Sequence, residues 1–225
     1  MIESLATLNL EPFWISFKLA AVTTVILFAL VLPLAWWLSQ SKSKLKPFIE
    51  AFAALPIVLP PSVLGFYLLV AFSSNSFISS YFNIDLLFSF SGLVIASCIY
   101  SLPFMLQPLQ SGFESLNKNM LEASYISGKS KFITLLKVAL PNIKPSLLTA
   151  LVVTFAHTVG EFGVVLMVGG SIPGQTKVAS VAIYEMVETM DYSSAHIYSA
   201  IMLLLSFLVL LAVYIFNAKA KSSKS

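Results

Sequence analysis

A carboxylate in the middle of an oily run is the first residue in this sequence that demands an explanation. Glu161 lies in "HTVGEFGVVLMVGG", residues 157 to 170, where almost every neighbour is apolar. A charge placed at the centre of a bilayer costs on the order of 3 kcal/mol, so the side chain is expected to face a bundle interior, a water cavity or a partner chain. His157 sits four residues earlier on the same helical face, which makes a His157–Glu161 pair geometrically possible. Gly160 and Gly163 flank the carboxylate and permit a second backbone to come close. Two uses fit: a buried hydrogen bond that joins two spans, or a place in a pathway or gate, the usual role of an intramembrane charge. A proton relay would need further carboxylates in series, and no such chain is present in the spans.

Other chemistries are excluded by what the sequence lacks. Cys98 is the single cysteine, so neither an intramolecular disulfide nor a multi-thiolate metal site can form, and no bound metal is expected. His157 and His196 are isolated, without the neighbours of a His-Glu-x-x-His site or a Ser-His dyad, which argues against an intramembrane enzyme. No G-x-x-x-x-G-K-[ST] segment occurs, so nothing here cradles nucleotide phosphates. There is no arginine, hence no bidentate guanidinium. The net charge of +3 is carried by lysines that alternate with apolar blocks. That arrangement is a topology signal, and no nucleic-acid partner is expected.

The elements that must hold Glu161 are membrane helices. With 58% hydrophobic and 10% charged residues over 225 positions, the chain falls far from soluble composition, and its mean hydropathy is +0.90. It reads as one all-α transmembrane domain over residues 1–225. A span needs about 20 apolar residues, and five segments qualify: Phe13 to Leu38, Phe48 to Phe72, Gly92 to Gly112, Leu147 to Val168 and Ile197 to Phe216. The first is no cleavable signal, since it is too long and holds Lys18. "TKVASVAIYEMVETM", residues 176 to 190, is helical in pattern but too short and charged to span; it reads as an outer or re-entrant helix.

Lysines orient the bundle. Lys42, Lys44, Lys46, Lys118, Lys129, Lys131, Lys137, Lys144, Lys219, Lys221 and Lys224 share one side if the N-terminus is outside and the C-terminus cytoplasmic. The opposite face then carries Glu3, Glu11, Asp85, Glu185, Glu188 and Asp191 against Lys177, with Lys18 near the boundary. Within the spans, "LPIVLPPSVLG" brings together Pro56, Pro60, Pro61 and Gly65, and the third span holds Pro103 and Pro108. Interior prolines free carbonyls and bend helices, either for packing alone or as kinked walls of a pathway or gate.

The longest inward loop, about residues 114 to 144, is punctuated like a pair of short helices. Asn119 can cap the first, with Glu122 three residues on in a capping-box relation. Gly128 turns the chain, and Ser130 can cap a second helix that ends near Leu140, before Pro141. Met120, Leu121 and Ile126 on one helix, and Phe132, Ile133 and Leu136 on the other, supply apolar patches. Physics alone leaves two readings open: a knob gripped by a cytoplasmic protein, or an amphipathic elbow whose lysines lie on anionic lipid.

"EASYISGKSKFITLLKVALP" resembles the cytoplasmic EAA loop of ATP-binding-cassette (ABC) importer permeases. Glu122, Ala123, Gly128, Leu140 and Pro141 match at the family spacing, while Ser124 replaces the second alanine and Val138 an isoleucine. "LPIVLPPSVLGFYLL" and "GEFGVVLMVGGSIPGQT" are similar to the molybdate permeases of that family, and the likeness runs from about Phe13 to Phe216. Sulfate and thiosulfate permeases resemble the chain through Glu161, Phe162 and Gly163. His157 departs from the arginine that the family often places there.

The resemblance implies a type I importer permease bundle, with Glu122, Ala123, Ser124, Gly128, Leu140 and Pro141 coupling it to a dimer of ATPase subunits. It implies a homodimer with the pathway on its two-fold axis, ATP held on the partner subunit, and no cofactor bound by this chain. A periplasmic or lipid-anchored oxyanion-binding protein is implied above, in a bacterial inner membrane. Pro60, Pro61, Gly65, His157, Gly160, Glu161 and Gly163 are the expected pathway or gate residues. The rivals are a sulfate or thiosulfate permease and a membrane scaffold that transports nothing.

Overall fold

The computed structural model describes residues 9–73 and 86–222, with side chains past 211 described only at 214 and 215. Glu3, Asp85 and Lys224, used above to orient the chain, lie outside the described residues. Everything described is helix or connection. Helix α1, Glu11–Gln40, starts at Pro12 in its first turn, and Asn9 Oδ1 accepts the Glu11 N–H at 2.9 Å. Helix α2, Lys46–Val58, and α3, Pro61–Phe72, follow a short basic turn. Helix α4 runs from Phe90 to Glu114, with Ser89 Oγ accepting the Gly92 N–H at 3.1 Å.

The inward loop folds into α5, Lys118–Ile126, and α6, Lys131–Thr134, which continues as a π-helical turn, Leu135–Ala139, and α7, Leu140–Asn142. Then come α8, Lys144–Val159, α9, Gly163–Gly169, α10, Ala179–Glu188, and α11, Tyr192–Ser222.

Among the described residues three helices, α1, α4 and α11, are long and apolar enough to cross a membrane, and up to five spans result if each of two bent pairs counts as one. The expected second span is thus not continuous: α2 and α3 meet at 110°. Leu59 and Pro60 both take extended ψ values, 134° and 137°, because each precedes a proline, which disfavours the α conformation. The expected fourth span is also broken. Its helix stops at Val159, three residues intervene, and α9 resumes at Gly163. At its other end, α8 turns 83° from the α6–α7 segment. Residues 176 to 190 yield the ten-residue α10, too short to span.

Helix α1 packs along α4, with α8 laid against both. Leu27, Val31, Ala35 and Leu38 of α1 meet Met105, Leu106, Leu109 and Phe113 of α4 in one buried cluster, joined by Leu135, Ala139, Ile143 and Ala150. Ile15 and Leu19 meet Leu93, Val94, Val165, Val178 and Val181 in a second cluster, near the other end of α4. The inward elbow is therefore rooted in the first core, and the short helices α9 and α10 in the second.

Candidate functional site

The elbow is built by local rules. Asn117, not Asn119, caps α5: its Oδ1 accepts the Asn119 N–H at 2.9 Å. Helix α5 therefore begins two residues earlier than the capping-box reading placed it, and Glu122 is left exposed, closing no box. At the far end Gly128 has φ +76°, its N–H bonds to the Tyr125 carbonyl at 2.9 Å, and the Lys129 N–H reaches the Ser124 carbonyl at 3.2 Å. This is the paired-bond helix stop that a left-handed glycine provides. An added Cβ at Gly128 would meet nothing within 4 Å, so backbone conformation alone demands glycine. Ser130 caps α6 as expected, accepting the Ile133 N–H at 3.3 Å.

Ser124 has a structural reason to depart from alanine. Its hydroxyl is buried and lies 2.9 Å from that of Thr134, which ties α5 to α6. Ala123 and Pro141 are exposed, and Leu140 packs against the core that roots the elbow. The π turn carries the segment past Leu140, so it ends at Asn142 rather than before Pro141. The exposed face of α5 shows Ile126 (87% exposed) one helical turn from Glu122. A rigid, apolar-tipped elbow with one free carboxylate can seat in another protein's groove.

The second region is the break between α8 and α9. Glu161 is 4% exposed; one carboxyl oxygen accepts from Ser97 Oγ at 2.8 Å, and the other is buried without a partner. Its carbonyl accepts from Ser180 Oγ of α10 at 2.6 Å. The His157–Glu161 pair is not formed. His157 bonds instead through Nδ1 to Ser101 Oγ, 2.9 Å away, and stacks on Phe104 with centroids 3.9 Å apart.

The direction of these bonds follows from counting protons. Thr158 donates its single hydroxyl proton to the Thr154 carbonyl at 3.0 Å. Ser101, 3.0 Å from Thr158 Oγ1, must then donate to it. With that proton committed, Ser101 Oγ can only accept from His157 Nδ1–H. In the neutral form the ring therefore carries its lone pair on Nε2.

A cleft of about 620 Å³ opens here, walled by Pro61, Ser62, Tyr100, His157, Gly160 and Glu161. Pro60 sets the turn that delivers Pro61 to it, and two glycines let α3 and α9 approach closely beside it. A Cβ on Gly163 would lie 2.9 Å from Pro61 Cβ, and one on Gly65 would lie 2.9 Å from Met167 Sδ. All seven sequence-predicted gate residues thus gather at the α3–α9 seam and the end of α8. The elbow residues form a separate site, rooted in the first core cluster. Ser97, Ser101 and Thr158 were missed by sequence reasoning, although the four-residue spacings Ser97–Ser101 and Thr154–Thr158 mark one polar stripe on each of α4 and α8.

The fold is that of ABC importer permeases. It superposes on a chain of the MetNI methionine ABC transporter, solved in inward-facing conformations, with a TM-score of 0.76 at 16% identity over 96% of this chain and 97% of that one. It also matches a bacterial ABC transporter that imports the acidic polysaccharide alginate, with a TM-score of 0.73 at 15% identity over 95% and 79%.

The chain belongs to the binding-protein-dependent transport system inner membrane component family, whose pattern matches residues 31–222. It is 45% identical over 210 residues to the molybdenum transport system permease protein ModB of Azotobacter vinelandii, covering 92% of this chain and 93% of that one. It is 32% identical to the putative molybdenum transport system permease protein YvgM of Bacillus subtilis, over 88% and 89%. The probable sulfate transport system permease protein cysT of Zygnema circumcarinatum is 33% identical over 95% and 75%.

Proposed function

We propose that this chain is the membrane permease of an ATP-driven molybdate importer, working as a homodimer with the pathway between its two copies. The observation that carries the substrate is the 45% identity to a molybdenum permease sustained over 92% of the chain. The elbow supports the mechanism. Its exposed Glu122 and apolar tip dock on a separate ATPase subunit, which binds the ATP; this chain supplies no nucleotide site and needs no cofactor. When the ATPase pair closes on ATP, the two elbows move with it, and the spans rock between two packings. Leu135, Ala139 and Ile143 carry that motion into α1 and α4, because they are buried in the same core.

The pathway runs past the cleft at the α8–α9 break, with Pro60, Pro61, Gly65, His157, Gly160, Glu161 and Gly163 forming its gate. A dianion held tightly needs several cationic or amide donors, and no lysine is among the described residues that line this cleft. Selectivity accordingly resides in an external oxyanion-binding protein that delivers to a weak passage. The lysine distribution supports an N-terminus outside and a C-terminal tail in the cytoplasm of a bacterial inner membrane. Proteoliposomes holding this chain, its ATPase and its binding protein are the test. ATP-dependent molybdate accumulation that excess sulfate does not compete supports the reading; preferential sulfate uptake overturns it.

A further inference from the structure

A second cleft, of about 480 Å³, lies between the end of α1 and the flank of the elbow that carries Lys131 and Phe132, apart from the cleft at the α8–α9 break. Trp36, Trp37 and Gln40 form one wall, and Tyr125, Lys131 and Phe132 the other. Its surface is apolar except at the rim, and no carboxylate is among the lining residues. Among the described residues Lys131 makes no ion pair. Trp37 is 46% exposed, and Phe132 also stands open. Trp36 is fixed edge-on against Phe113, ring centroids 5.1 Å apart, which holds this wall in place.

The depth of the cleft is set by sequence. Tryptophans favour the boundary between acyl chains and headgroups; Trp36 and Trp37 fall in the last turns of α1, and Lys42, Lys44 and Lys46 follow within ten residues. The groove therefore has an oily floor at acyl-chain level and a lysine at headgroup level.

The geometry points to a binding site for one anionic phospholipid, its acyl chain against Trp37 and Phe132 and its phosphate at Lys131. The lipid joins α1 to the moving elbow, so it braces the part of the permease that meets the ATPase. This rests on the membrane reading proposed above, but not on which face of the membrane is cytoplasmic.

The test uses the full chain in nanodiscs whose leaflets are identical, so a wrong orientation leaves the result unchanged. Trp14→Phe removes the exposed tryptophan at the other end of α1. In that background, fluorescence quenching by dibrominated phosphatidylglycerol is compared with dibrominated phosphatidylcholine at equal mole fraction. The expected result is about a five-fold preference for the glycerol lipid, abolished by Lys131→Gln and kept by Lys131→Arg. Equal quenching by the two lipids overturns the site. A preference that survives Lys131→Gln overturns it too, since the headgroup is then read elsewhere. Loss of all quenching once the ATPase is bound shows the groove to be a protein interface and likewise refutes the lipid.

Discussion

Gly163→Ala adds one methyl group to the seam between α3 and α9, and its effect can be worked from the contact it makes. The new Cβ would lie 2.9 Å from Pro61 Cβ, against about 3.5–4.0 Å for carbon atoms in contact. Pro61 cannot rotate aside, because its ring is fixed to the backbone at the first position of α3. The overlap must be relieved by separating the two short helices, and overpacking of this kind costs roughly 1–3 kcal/mol. Alanine recovers up to about 1 kcal/mol as a better helix former than glycine, so the middle of that range leaves about 1 kcal/mol. By the scaling for chains of this size, melting falls by about 2–4 °C.

Gly65→Ala serves as the internal control. Its Cβ presses on Met167 Sδ at 2.9 Å and on Met167 Cβ at 3.2 Å, and a flexible thioether gives way more cheaply. Thermal unfolding in detergent reads stability, and molybdate uptake in proteoliposomes reads the gate. Gly163→Ala should lower both, and Gly65→Ala should lower each less. Unchanged melting and uptake in Gly163→Ala would refute the view that this seam is a tight joint.

Gly128→Val leaves space unchanged but forces a β-branched residue to φ +76°, a cost of roughly 1–2 kcal/mol. Uptake is expected to fall while ATP hydrolysis and membrane insertion persist, and Gly128→Asn, which tolerates left-handed backbone, should restore much of the uptake. Ser97→Ala removes the donor to Glu161 and leaves both carboxyl oxygens unpartnered; a loss of about 1–3 kcal/mol is expected in thermal unfolding, and Ser97→Thr should recover part of it. Glu161→Gln should slow uptake more than it lowers the melting temperature; wild-type uptake kinetics would show the carboxyl group to be incidental. At Glu185, burial opposes ionisation, but hydrogen bonds from Lys177 and Ser171 outweigh it and hold the carboxyl below its usual range. A depressed folded pKa gives stability that is complete above about pH 4.3 and lost as pH falls through the lower folded value. Melting followed against pH should show that acid loss, and Glu185→Gln should flatten it.

The sequence announced some of this fold and hid the rest, for physical reasons. Prolines at 60 and 61 signal a bend, because the chain before a proline avoids the helical region. The size of the bend, 110°, is set by how α3 packs against α9 and is written in no local pattern. The gap at residues 160–162 escaped notice because averaging over an apolar window spreads three irregular residues across a whole span. The inner loop was legible in its stops, Gly128 and Ser130, which act through their own backbone geometry. Its start was misplaced by two residues, since two asparagines compete for the cap and tertiary packing of Leu121 decides between them. Serines and threonines on α4 and α8 drew no attention in an oily background, although they fix the orientation of His157 and Glu161.

Because α8 ends at Val159 and meets the α6–α7 segment at 83°, it cannot act as a single strut through the bilayer. In the proposed mechanism a thrust on the elbow enters sideways, into Phe113 and Leu109 of α4, whose 25 residues reach about 37 Å without interruption. The far half of the molecule would then be driven by a neighbouring column, with stiffness in α4, at Pro103 and Pro108, governing how much of the stroke arrives.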